Sequence, residues 1–242
     1  MNNSIQLVNS QSLPQVTRDV YGAINGNIPS ATKALYKNVV DLMGFESGIR
    51  SLNRRGGFEA RSMSIYGYDE SRQLVVIQFR RVYLKREGYY RNVQKLYYLV
   101  GNDEGQLFSH LLPSSILKMK GLQQSTPQDV VRWSESKIFG VPLGKLSAII
   151  RQGDIALIPV RSIPTGSVQN RDLEFHLGGG SHQVMVDGEH FVSPDGTNYI
   201  KGLVEIVHIK AEHRAVCAEG CFRIAEGARG ITPDWVDTEL GD

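Results

Sequence analysis

The sequence predicts an α+β N-terminal half, a helix packed on an antiparallel sheet, followed by an all-β C-terminal barrel or sandwich. Three observations carry this. Capped, helix-periodic segments occur only in the first half, and no helical pattern follows Arg151. Short apolar runs between explicit turns fill the second half. The charge also changes sign: residues 1–150 carry 19 Lys/Arg against 11 Asp/Glu, net +8, and residues 151–242 carry 8 against 14, net −6. The Gly140-Val141-Pro142-Leu143-Gly144 stretch reads as the linker between a basic domain over 1–144 and an acidic domain over 145–242.

Residues 1–29 are polar and rich in turn residues. A helix is expected from Ser30 to Met43, with Ser30 as cap, Leu35, Val39, Leu42 and Met43 on one face, and Gly44 as its stop. Ser47 to Gly57 reads as a loop. Strands follow at Phe58–Tyr68, Gln73–Leu84, Gln94–Val100 and Gln106–Leu112. The centre of the second is apolar on both faces. Thr126-Pro127-Gln128-Asp129 starts a helix with a capping pattern. Beyond Arg151, strands are expected near 154–160, 173–177, 182–186, 190–193, 199–209 and 221–224. Turns are expected at Pro164-Thr165-Gly166, Gly178–Gly180, Asp187-Gly188, Pro194-Asp195-Gly196 and Glu219-Gly220.

Composition excludes several classes. With 41% hydrophobic and 21% charged residues, the chain reads as globular. It has no apolar run long enough to cross a membrane as a helix and no secretory pattern, so the expected location is the cytoplasm. Two cysteines build no disulfide framework.

The strongest chemical signal is a basic, aromatic block from Arg50 to Lys95. It holds Arg54, Arg55, Arg61, Arg72, Arg80, Arg81, Lys85, Arg86, Arg91 and Lys95. Tyr66, Tyr68, Tyr83, Tyr89, Tyr90, Tyr97 and Tyr98 are interleaved with them. Cations neutralise phosphates and exposed rings stack on bases, so the block points to nucleic acid. A solvated sheet face explains the same residues, because Tyr favours strands and charged edges resist aggregation.

Other constellations are weaker. His176, His182, His190, His208, His213, Cys217 and Cys221 lack zinc-knuckle spacing, so no metal and no cofactor are expected. Gly178-Gly179-Gly180 precedes a strand, whereas a phosphate loop precedes a helix. Ser181 and His182, as strand neighbours, would face opposite sides. No G-x-S-x-G or H-E-x-x-H motif occurs.

Gln152-Gly153-Asp154-Ile155-Ala156-Leu157-Ile158-Pro159-Val160 resembles the opening of a β-rich domain in uncharacterised bacterial and phage-borne proteins. There, a paired-His segment (Gly-His-x-His-Arg-Val) follows, then His-Pro-Glu-His and a Gly-turn strand. The corresponding pieces are Gly179-Gly180-Ser181-His182-Gln183-Val184, Lys210-Ala211-Glu212-His213, and Gly220-Cys221-Phe222-Arg223-Ile224. Gly180 and Lys210 replace two of the four histidines. The resemblance covers Arg151 to Ile224 and implies no activity. It implies that His182 and His213 meet in space without a metal.

The reading is a non-enzymatic binding or accessory protein. Its basic half would contact nucleic acid or an acidic protein surface through Arg54, Arg55, Arg80, Arg81, Lys85, Arg86 and Arg91. The alternatives are an enzyme or sensor with a pocket around His182 and His213, and a structural subunit assembling through sheet edges.

Overall fold

Strands dominate the computed structural model of this chain, which describes residues 17–19, 22–26, 28–42, 47–52, 57–84, 91–103, 106–210 and 214–227. A small hairpin, β1 (Thr17–Arg18) and β2 (Ile24–Asn25), precedes α1 (Ser30–Leu42). Met43 and Gly44, the expected end of that helix, lie outside the described residues. Five strands then form an antiparallel meander: β3 (Gly48–Leu52), β4 (Gly57–Asp69), β5 (Leu74–Leu84), β6 (Arg91–Asp103) and β7 (Gln106–Leu112). β3 lies in the stretch expected as a loop and pairs with β4 from Gly48↔Arg61 to Leu52↔Gly57.

The apolar centre of β5 makes this sheet a middle layer. Leu74, Val75, Val76 and Ile77 are each at most 4% exposed. Val75, Ile77 and Phe79, with Tyr98 and Val100 of β6, pack against Leu35 and Val39 of α1. On the opposite face, Leu74, Val76, Tyr97 and Leu99 pack against Ile116, Leu122, and Val130 and Val131 of α2 (Pro127–Phe139). α2 packs closely over Gly67 of β4. A Cβ there would stand 2.7 Å from both Pro127 O and Val130 Cβ. The capping pattern is realised: Thr126 Oγ1 accepts the Asp129 N–H at 3.1 Å, and Asp129 Oδ2 accepts the Thr126 N–H at 3.0 Å. Gly140, at φ 61°, closes the helix.

The second sheet comprises β8 (Ile150–Gln152), β9 (Ile155–Pro159), β10 (Val168–Asn170), β11 (Glu174–Leu177), β12 (His182–Val192), β13 (Asn198–His208) and β14 (Val216–Glu226). Its order is β10-β12-β13-β14-β9-β8, with β11 also on β12. Among the described residues it does not close into a barrel. Asp187-Gly188 and Glu219-Gly220, expected as turns, lie inside β12 and β14. The reason is a row of glycines: Gly188 pairs with Gly202, and Gly202 with Gly220. Their φ angles are 148°, 134° and 154°. A Cβ on Gly188 would meet Lys201 O at 2.3 Å, and one on Gly202 would meet Asp187 O at 2.3 Å. The strand pairing runs through this row without a register shift, at φ values that favour glycine. Side chains from both sides of it, Val184, Val186, Val204 and Ile206 with Ile200, Phe222 and Ile224, lie on one face of the sheet and share one core.

Helix α2 also touches the second sheet. Phe139, Val141 and Leu146 pack on Ala156 and Ile158 of β9. Val141, inside the stretch expected as a linker, is 2% exposed. Arg223 Nη2 donates to Phe139 O at 2.8 Å and Gly140 O at 3.2 Å, a cation on the negative end of the helix. Among the described residues no helix is long and apolar enough to cross a membrane.

Candidate nucleic-acid interface

The basic block divides by strand alternation. Opposed residues share a face, and β4, β5 and β6 align Ser62 with Arg80 and Arg80 with Lys95. The neighbouring rank aligns Arg61 with Arg81 and Arg81 with Gln94, on the other face. Ser62 and Lys95 are exposed and Arg80 is half-buried. On the same face, Ala60, Val82 and Val93 continue the rank toward the sheet end.

Arg81 is different. It is 4% exposed, and its Nε donates to Glu59 Oε1 at 2.8 Å, with Glu59 also buried. Arg61 binds the same carboxylate oxygen. The Arg81 guanidinium lies over the Tyr83 ring, 4.4 Å from its centroid. Burial alone would raise the Glu59 carboxyl, but the hydrogen bonds from Arg61 and Arg81 outweigh it and hold its pKa below the ordinary range. Arg81, expected at a nucleic-acid contact, is thus enclosed in the sheet with its own anion.

Leu52 pairs with Gly57, and Phe58 and Leu84 pair with one another, as do Leu84 and Arg91. The connections 53–56 and 85–90 therefore leave from one end of the sheet, the end toward which the Arg80 rank runs. Arg54, Arg55, Lys85 and Arg86 belong to those connections and lie outside the described residues. For Arg91 the structure gives the strand position.

The tyrosines expected for stacking are mostly core residues. Tyr66, Tyr68, Tyr97 and Tyr98 are 2–8% exposed. Gln78 Nε2 donates to Tyr66 OH at 3.1 Å and Tyr97 OH at 2.7 Å. Burial pushes the Tyr66 phenol up to about 12, with Tyr97 and Asp19 adding and Gln78 and Arg80 opposing. Tyr89 and Tyr90 lie outside the described residues.

In the second sheet, several distant segments meet at one corner. Gln152 Nε2 donates to Arg214 O. Gly153, at φ 55°, turns the chain, and Asp154 Oδ1 lies 3.5 Å from His182 Nε2. Gly227 N–H donates to Asp154 O at 2.6 Å. His182 pairs across the strands with His208, their rings edge-on at 4.7 Å. His213, the partner expected for His182, lies outside the described residues. His208 was missed, yet a signal was present. Val192 pairs with Asn198 around the Pro194-Asp195-Gly196 turn, and equal steps outward bring His182 opposite His208.

Ser181 does reach His182, contrary to simple strand alternation, because its backbone is helical (φ −84°, ψ −19°) just before β12. Its Oγ lies 2.9 Å from His182 Nδ1 and donates to Gly178 O at 2.9 Å. Either the Gly178 carbonyl or His182 Nδ1 can take the Ser181 hydroxyl proton, depending on the tautomer of the ring. His190 stacks on Phe175 at 4.3 Å, with Nδ1 2.7 Å from Asp172 O and Nε2 2.9 Å from Asn198 Oδ1. Among the described residues no group of three or more His, Cys, Asp or Glu is arranged to hold a metal ion.

No family model, curated protein or solved structure matches the chain.

Proposed function

We propose that this chain is a binding protein whose N-terminal sheet end contacts nucleic acid. In this reading the helix-on-sheet half is the platform, and the acidic sheet is a separate layer joined to it through α2. The observation that carries the reading is the rank Ser62–Arg80–Lys95, where two cations stand side by side across adjacent strands. Two cations on neighbouring strands of one sheet face can meet a single polyanion together. The net +8 of residues 1–150 provides attraction over a longer range.

The test is anisotropy titration of labelled DNA at low and moderate salt. The unaltered chain should bind at low salt and weaken as salt rises, by a slope of about −0.9 per duplex phosphate contacted. Arg80→Glu with Lys95→Glu should remove most affinity. Arg80→Gln with Lys95→Gln, checked for unchanged melting, serves if charge reversal disturbs the sheet. Absence of binding at low salt would overturn the proposal.

A further inference from the structure

We propose that the open face of the second sheet, centred on Leu203, docks the Val93–Lys95–Arg80 face of a second copy of this chain. The contact is head to tail, and it does not depend on nucleic-acid binding.

The acidic sheet has two unlike faces. One carries the core of Val184, Val204, Ile206 and Phe222. On the other, α2 covers the β9 end, where Phe139 and Val141 pack on Ala156 and Ile158. Farther along that face, Asp187 of β12 opposes Leu203 of β13, and Leu203 opposes Glu219 of β14. All three are exposed, Leu203 at 40%. Glu205 stands two residues along β13 on the same face, a step of about 7 Å. Among the described residues Asp187, Glu205 and Glu219 form no ion pair, whereas Lys201 is held by Glu189 at 2.8 Å. An exposed leucine is thus ringed by three carboxylates. An apolar centre with a polar rim is the layout of a protein contact.

The first sheet carries the complement. Val93 of β6 is 36% exposed, Lys95 stands two residues along the same face, and Arg80 is opposite Lys95. An apolar side chain beside two cations answers an apolar side chain among three carboxylates. Both patches share the same lattice, with strands about 4.8 Å apart and a two-residue step of about 7 Å. Seating Val93 on Leu203 therefore brings Lys95 and Arg80 to the carboxylate rim. The halves support this at longer range, net +8 over residues 1–150 against net −6 over residues 151–242. Because the two patches differ, the contact is heterologous, and each copy keeps a patch open for the next.

The experiment is sedimentation velocity on nuclease-treated protein, shown free of nucleic acid by its absorbance ratio. In about 20 mM salt the mean mass should rise with concentration above that of one chain, and about 0.5 M salt should return it to one chain by screening. Asp187→Lys with Glu219→Lys should prevent self-association, and so should Arg80→Glu with Lys95→Glu. Mixed, these two variants should form one-to-one dimers, because the intact basic face of the first meets the intact acidic face of the second. Leu203→Ser should weaken association at least about fivefold. Val168→Ser, at a residue 70% exposed on the opposite face of the sheet, should change it less than about twofold. Asp187→Asn with Glu219→Gln, checked for unchanged melting, serves if charge reversal disturbs the sheet. A single chain at every concentration in low salt, association indifferent to salt or to both sets of variants, or a mixture that stays monomeric would overturn the proposal. Association that disappears on nuclease treatment would overturn it too, while supporting the nucleic-acid reading. Self-association without DNA binding would support this contact and overturn the function proposed above.

Discussion

Arg151 Nη1 donates to Glu135 Oε1 at 2.7 Å, and this bond joins β8 of the second sheet to α2. Glu135 is 1% exposed and also takes two bonds from Arg72, at 3.1 and 2.7 Å. One buried carboxylate thus connects the β4–β5 turn, the helix and the second sheet. Removing it takes a shared carboxylate from both guanidinium groups. Glu135→Ala should cost about 1.5–3 kcal/mol, the range for hydrogen bonds to charged groups, because Arg72 keeps solvent and Asp69 as partners. Urea unfolding measures this. A double-mutant cycle with Arg151→Ala should show a coupling of at least about 0.5 kcal/mol. Strict additivity would mean that the bond carries no stability.

The same junction bears on where the chain can be cut. A fragment of residues 145–242 keeps β8 to β14 but loses Phe139 and Val141 from their packing on Ala156 and Ile158. It also loses Glu135 and the carbonyls held by Arg223. Dispersed amide signals from β12 to β14 are expected, with hydrogen exchange at Ile158 and Ile224 faster than in the whole chain. Equal protection in fragment and whole chain would show that the second half is independent of α2.

Local chemistry was legible and tertiary choices were not. The α2 start was readable because Thr126 and Asp129 satisfy each other within one turn. The β5 centre was readable because its apolar run leaves no polar face. Arg80 and Arg81 could not be separated, since adjacent strand residues face opposite ways and the anion that encloses Arg81 is Glu59, one strand away. β3 was hidden because Gly48–Leu52 has little apolar alternation and owes its conformation to pairing with β4. Gly188 and Gly220 were read as turns because a glycine at positive φ serves a turn and a close strand pairing equally. Only Gly202, opposite both, distinguishes the two.

That row gives a sharp stability test. A Cβ on Gly202 would stand 2.3 Å from Asp187 O and 2.9 Å from Gly188 Cα, both backbone atoms that cannot swing aside. The residue also sits at φ 134°. Gly202→Ala should therefore cost at least the ~1–3 kcal/mol of a strained backbone residue. Gly144→Ala is the control, because nothing lies within 4 Å of its Cβ position. That change should be near neutral or slightly stabilising. Urea midpoints of the two variants compare them directly. Equal effects would mean that the strands can separate at the row without cost.

The Glu59 cluster predicts a pH dependence with a definite sign. Its carboxyl is buried, which alone would raise its pKa, yet Arg61 and Arg81 lower it below the ordinary value. A carboxyl with a depressed folded pKa stabilises the fold above its unfolded value of about 4.3. That contribution is lost as pH falls through the lowered folded value. Glu59→Gln keeps the shape but removes the charge, and leaves the buried Arg81 facing a neutral amide. The variant should be less stable near neutral pH by about 3–5 kcal/mol, as when a buried pair loses one member. The gap between the two proteins should stay constant while the carboxyl is ionised and narrow below about pH 4. Asp69 is also held low, by Ser71 and Arg72 acting against burial, but it is present in both proteins and cancels in the difference. Urea midpoints at neutral and acid pH provide the measurement. A gap that persists unchanged into acid would show that the charge of Glu59 does not hold Arg81 in place.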